Sequence, residues 1–110
     1  DGYEGAKFLM EADVRPTAIV LMNSEIAFGA LRYFYEKQIK IPDDVSIVSF
    51  GDMFNRDLLY IRPTISYTNL KGIGKKLGEL MIERIENNDI VNREIRFTPR
   101  IQYGNSTRPL

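Results

Sequence analysis

The chain contains no cysteine, no histidine and no tryptophan. Without cysteine there is neither a disulfide framework nor a thiolate metal site. Without histidine the commonest general base and the commonest metal ligand are both missing. Carboxylates, lysines and tyrosines remain, but no catalytic residue, metal site or cofactor is expected, and an enzyme is the least favoured class. Net charge is lacking too, since 15 Lys and Arg stand against 15 Asp and Glu. A duplex-binding surface normally carries a basic excess, so these residues alone are expected to bind DNA poorly. No apolar run approaches the roughly 20 residues that cross a bilayer, and no signal peptide is visible. Cytoplasm is the expected location. Asp1 reads as a cut within a longer chain rather than a natural start.

What is present is the composition of a soluble globular chain, 44% hydrophobic and 27% charged over 110 residues. That length holds one domain, or one lobe of a larger one. Ala6, Phe8, Leu9 and Met10 suit a short helix ending near Asp13. Residues 18–22 (Ala-Ile-Val-Leu-Met) form a continuous apolar run, as a strand buried on both faces requires. Asn23 and Ser24 stop the run and offer helix-capping oxygens, with Glu25 in the first turn. Residues 26–38 follow as an amphipathic helix with Ile26, Ala27, Ala30, Leu31 and Phe34 on one face. Pro42-Asp43-Asp44 turns the chain into a second β-branched strand over 45–50, ended by Gly51-Asp52.

Beyond it, Leu58 to Ile61 suit one short helical turn, and 63–67 an extended crossing segment. Ile73, Leu77, Leu80, Met81 and Ile85 mark a third helix that ends in the polar residues 86–89. The tail, 95–103, alternates like strand segments broken by Pro99. The order α-β-α-β-crossover-α-β argues an α/β fold with a parallel sheet at its core.

In such a sheet ligands gather beyond the carboxyl ends of the strands. That rule selects Asn23-Ser24 and Asp52. Asn23 donates and accepts hydrogen bonds, which suits a polyhydroxylated ligand, and Asp52 offers an acceptor pair. A purely structural reading stays open beside this one: Asn23 and Ser24 cap a helix and Asp52 starts a turn. Gly72-Ile73-Gly74 lacks the strand before it that a phosphate-cradling loop needs. The aromatic residues do not interleave with a basic stripe, so single-strand stacking is not expected.

Three stretches, taken in order, resemble the sensor domains of lactose-repressor/galactose-repressor (LacI/GalR) regulators. Residues 16–20 with 23–32 (Asn-Ser-Glu-Ile-Ala-Phe-Gly-Ala-Leu-Arg) are similar to the family's "PTAI…ND.MA.GALRA". Residues 41–52 are similar to "VPEDVSVVGFDD". Gly104-Asn105-Ser106-Thr107 resembles the closing "RxST" element. The resemblance implies a periplasmic-binding-protein-like type I fold of two lobes with a small effector in the cleft between them. Residues 1–65 and 99–110 would form an incomplete three-layer α/β/α lobe, and 69–98 would belong to the other lobe.

By the same resemblance Asn23, Ser24, Asp52, Thr68 and Asn69 are effector-side positions. Ser24 stands where an aspartate is usual. Gly51 replaces the first aspartate of "FDD", which commonly holds ligand hydroxyls. An arginine that usually completes the site lies upstream and outside the chain. Phe28, Arg32 and Tyr35, with Leu58, Leu59, Tyr60 and Ile61, match places where family members form homodimers. Operator DNA would be read by a head domain absent from this chain. The implied function is effector sensing and dimerisation in a repressor-type regulator, with a sugar-like effector and no membrane partner. The alternative is a sugar-binding transport receptor of the same fold, although residues 41–52 are far more typical of the regulators. A third possibility is a dimerisation surface that has lost its ligand, which Gly51 would permit.

Overall fold

The computed structural model describes residues 1–87 and 93–109. Two compact units emerge, Asp1–Tyr67 with Arg100–Leu110, and Thr68–Pro99. The first opens with helix α1 (Gly2–Met10), whose N-cap Asp1 accepts hydrogen bonds from the Tyr3 and Glu4 amides. Strand β1 (Ala18–Leu21) follows, then helix α2 (Ser24–Glu36) and strand β2 (Ser46–Phe50). A single 3-10 turn covers Arg56–Leu58, and β3 spans Thr64–Tyr67. Strand β4 (Arg100–Gln102) completes the unit.

The four strands lie in the order β1-β2-β3-β4. β1 pairs with β2 in parallel, Ala18 opposite Ser46 and Leu21 opposite Ser49. β2 pairs with β3 in parallel, and β4 runs antiparallel to β3. The 63–67 stretch, expected to leave the sheet as a crossing segment, is thus a full member of it. The final strand reverses the expected parallel order and is shorter than expected, because 93–99 form no regular element.

Ile19, Leu21, Ile47 and Ile65 point to one side, where they share a core with Ala6, Met10, Ala27, Ala30 and Phe34. Each large side chain buried there is worth about 1.5–3 kcal/mol relative to exposure. The opposite face does not follow the expectation of burial on both sides. Val20 is 63% exposed and Met22 67%. An apolar run tells that both faces can be covered, not that both are. Helices α1 and α2 meet closely at two glycines. A methyl group on Gly2 would run into the Ile26 carbonyl, and one on Gly29 would lie 2.8 Å from the Tyr3 amide nitrogen. Tyr3 and Tyr33 then meet edge to face, ring centroids 5.3 Å apart.

The helical turn expected around Leu58 to Ile61 sits earlier, over Arg56–Leu58, and Leu59 is already extended. Asn55, in the left-handed region at φ 60°, starts it. The second unit contains α3 (Leu70–Glu86), capped by Asn69. None of its residues is buried. Of the expected apolar stripe, Leu77, Met81 and Ile85 are exposed while Ile73 and Leu80 are half-buried. Asn88 and Asp89, expected to close this helix, lie outside the described residues.

Candidate functional site

Because β1, β2 and β3 are parallel, their carboxyl ends share one edge of the sheet. Asn23 follows β1 there. Its backbone is extended at φ −162° and its Oδ1 accepts from the Ile26 amide at 2.8 Å, so it caps α2. The side-chain amide is left exposed at the edge. Ser24 is half-buried in the first turn beside it, followed by the exposed Glu25.

Gly51 follows β2 with φ 84°. That value lies in the left-handed region, where a side chain costs conformational strain and glycine does not. A Cβ at this position would meet nothing within 4 Å, so backbone angle and not space selects glycine. The Gly51 amide donates to the Ser66 carbonyl at 2.8 Å, which fixes the turn. Asp52 is thereby presented outward, exposed and without a hydrogen-bond partner among the described residues.

Asp52 also borders a cavity of about 410 Å³, shared with Met53, Asn55, Arg56, Asp57 and Gln102. Arg56 is only 6% exposed. Its Nε donates to the Pro63 carbonyl at 2.7 Å and its Nη2 to the Tyr103 carbonyl at 2.6 Å. The Asp57 carboxylate stands 3.5 Å from Nη1, a long contact. Nothing in the sequence distinguishes Arg56 from the other scattered basic residues, and the sequence reading missed it.

Asn23 and Asp52 therefore occupy the same sheet edge, although Asn23 does not border the cavity at Asp52. Thr68 and Asn69 fall in the second unit. There Thr68 is half-buried, and Asn69 uses its Oδ1 to accept the Gly72 amide at 3.0 Å.

The positions expected to dimerise separate into two settings. Arg32 lies 5.3 Å over the Tyr3 ring, and its Nε donates to Glu36 at 2.8 Å. Tyr3 donates its hydroxyl to the other Glu36 oxygen at 2.7 Å. The Tyr3 hydrogen bond, then that of Arg32, holds the Glu36 carboxyl below its ordinary range. The same bond to Glu36 raises the Tyr3 hydroxyl. Phe28 stands exposed on this helix.

Tyr35 (78% exposed) and Tyr60 (93% exposed) belong to the other setting. With Ile61 they border a groove of about 480 Å³ whose lining also includes Leu31, Ile39 and Ile41 and the polar Gln38, Lys40 and Asp43. Leu58 is exposed outside this groove, and Leu59 packs on the core.

The tail resembling the closing element proves to be the fastening of the sheet. Ser106, fully buried, donates from Oγ to the Ile47 carbonyl at 2.6 Å and accepts the Thr64 amide at 2.7 Å. Asn105 accepts from the Arg62 amide at 2.6 Å and donates to the Tyr60 carbonyl at 3.0 Å. Among the described residues no three acidic side chains gather as metal ligands. No helix among them is long and apolar enough to cross a membrane.

Residues 2–107 match the family described as periplasmic binding protein-like domain. A lactose operon repressor of Rhizobium radiobacter is 31% identical over 98% of this chain and 96% of its own length. The HTH-type transcriptional repressor PurR of Mannheimia succiniciproducens is 26% identical over the whole chain and 33% of its own length. A LacI family transcriptional regulator of Enterococcus faecalis, solved with bound ribose, superposes with a TM-score of 0.90 at 27% identity. That superposition covers 99% of this chain and 40% of the solved one. The chain thus spans about a third of the length of the longer curated relatives it matches.

Proposed function

The chain belongs to the periplasmic binding protein-like domain family in its LacI-type regulator form, and from that premise we propose that it is the effector-sensing and dimerising part of a cytoplasmic repressor. The single observation that carries this reading is the placement of Asn23 and Asp52. Both follow parallel strands at the edge where such sheets hold ligands, and both keep polar atoms directed outward. A sugar or sugar derivative is the proposed effector, supported by the ribose in the Enterococcus faecalis relative. On this reading residues 1–65 and 99–110 belong to one lobe and 69–98 to the other, and Thr68 and Asn69 are further effector-side positions. Closure of the lobes on the effector changes the affinity for operator DNA, which a separate head domain reads.

Calorimetry on the full-length regulator tests this reading. A neutral sugar should bind, and Asn23→Ala or Asp52→Ala should each weaken it about 10- to 100-fold, the loss of one or two hydrogen bonds to a polar ligand. Binding unchanged by both substitutions would move the effector site away from this edge.

A further inference from the structure

Arg56 is the one charged side chain that is buried among the described residues. Taking a guanidinium out of water costs far more than taking out an apolar side chain of the same reach, so packing alone does not call for it. An ion pair does not account for it either. The Asp57 carboxylate is 79% exposed and comes no closer to Nη1 than 3.5 Å, an arrangement worth little. What the guanidinium adds is directed bonding to two separate strands. Its Nε donates to the carbonyl of Pro63, the residue before β3, and its Nη2 to the carbonyl of Tyr103, the residue after β4.

These bonds close a strap over β3. The loop after β2 begins with the Gly51 amide bonded to the Ser66 carbonyl and ends with Arg56 bonded to Pro63. Between them Met53 is buried in the core, and Asn55 turns the backbone in the left-handed region. Asp52 lies inside the strap and has no hydrogen bond of its own among the described residues. The backbone on either side therefore sets its position, and Arg56 supplies the side-chain anchor of that backbone. We infer that Arg56 is a positioning residue for effector binding: it fastens the strap to β3 and to the end of β4, and so fixes Asp52 without itself meeting the effector. The inference rests on the reading of Asp52 as an effector-side residue. At 6% exposure the guanidinium has almost no surface to offer a ligand, so its loss should act on binding through Asp52 or not at all.

The test is a double-mutant cycle on the full-length regulator, with ribose binding followed by calorimetry well below the melting temperature of every variant. Arg56→Met should weaken ribose at least about fivefold in the parent background. Beside Asp52→Ala it should weaken ribose less than about twofold, because no carboxylate is left to position. Arg56→Lys should fall between Arg56→Met and the parent, since an ammonium does not reproduce the fork that reaches both carbonyls. If Arg56→Met does not fold, the lysine variant carries the cycle. A merely structural role would lower the melting temperature in both backgrounds and leave the two affinity ratios equal. Equal weakening in both backgrounds overturns the inference, and so does no weakening in the parent.

Hydrogen exchange in the ligand-free protein reads the strap without any effector. Arg56→Met should speed exchange of the Gly51 amide at least about tenfold more than that of the β1 amides. Equal acceleration at both sites is global destabilisation and overturns the inference. Ribose binding untouched by Asp52→Ala overturns the effector-side reading of Asp52, and this inference falls with it. If the parent binds no ribose, the choice of a sugar fails, and exchange at Gly51 alone decides the positioning role.

Discussion

Arg56 donates from Nη2 to the carbonyl of Tyr103, 47 residues further along the chain, at 2.6 Å. With the bond from Nε to Pro63, this guanidinium joins the loop after β2, the entry to β3 and the end of β4. Arg56→Met keeps much of the stem but leaves the buried Pro63 carbonyl without its donor. The loss should be about 1.5–3 kcal/mol, the range for hydrogen bonds from a charged group. Arg56→Lys should fall between the two, since an ammonium cannot reproduce the fork that reaches both carbonyls. Urea denaturation reads the change as a lower midpoint at unchanged slope. A midpoint equal to the parent's for Arg56→Met would show that water replaces the guanidinium.

The sequence reading reached what depends on local pattern and stopped where long-range assembly decides. β1 and β2 fall within a residue of their expected limits, because β-branched runs bounded by Pro and Gly leave little freedom. The strand ends then locate Asn23 and Asp52 by topology alone. β4 has three exposed residues and no burial pattern to betray it. Its antiparallel direction follows from the Ser106 and Asn105 bonds, made more than 40 residues away in sequence. The cavity beside Asp52 was equally hidden, since Asp57 and Gln102 become neighbours only in the folded sheet.

Glycine substitutions should separate close approach from mere helix propensity. Gly29→Ala puts a methyl group 2.8 Å from the Tyr3 amide nitrogen and forces α1 away from α2. Overpacking of this kind costs about 1–3 kcal/mol. Gly5→Ala, on the α1 side where a Cβ meets nothing within 4 Å, should instead stabilise by about 0.4–1 kcal/mol. Thermal melts of the two variants should move in opposite directions. A shift of the same sign in both would mean that the α1–α2 approach relaxes freely.

The Tyr3–Glu36–Arg32 cluster predicts a stability plateau with two shoulders. The folded Glu36 pKa lies below its unfolded value. Its contribution is therefore present above the unfolded pKa and lost as pH falls through the folded one. Tyr3 is shifted upward, so its contribution is present below its unfolded pKa and lost as pH rises through the raised value. Melting temperature should therefore hold at neutral pH and decline on the acid and alkaline sides. Glu36→Gln should flatten the acid shoulder, and Tyr3→Phe the alkaline one. Glu36 is exposed and Tyr3 only half-buried, so the acid shoulder in particular should shrink in high salt. A Glu36→Gln profile that overlays the parent's below neutral pH would remove this cluster from the acid response.

Self-association is expected to use the groove between the end of α2 and the segment after the 3-10 turn. Tyr35 and Tyr60 are exposed at a groove lined also by the apolar Leu31, Ile39 and Ile41 and by the polar Gln38, Lys40 and Asp43. Isolated exposed tyrosines need no explanation, but two of them at one groove with several apolar lining residues make a patch of the kind that marks interfaces. Aromatic anchors in such positions carry much of an interface's energy, while charged substitutions there cannot be desolvated cheaply. Arg32 offers less, because Glu36 and the Tyr3 ring already engage it. If the full-length protein dimerises through this groove, Tyr35→Glu with Tyr60→Glu should leave it monomeric in sedimentation equilibrium, with far-ultraviolet dichroism unchanged. Arg32→Ala should leave the dimer largely intact, while Phe28→Glu, on the same helix but outside the groove, should weaken it less than the tyrosine pair. If the tyrosine double variant sediments as the parent does while Phe28→Glu dissociates it, the interface lies along the helix face and not in the groove.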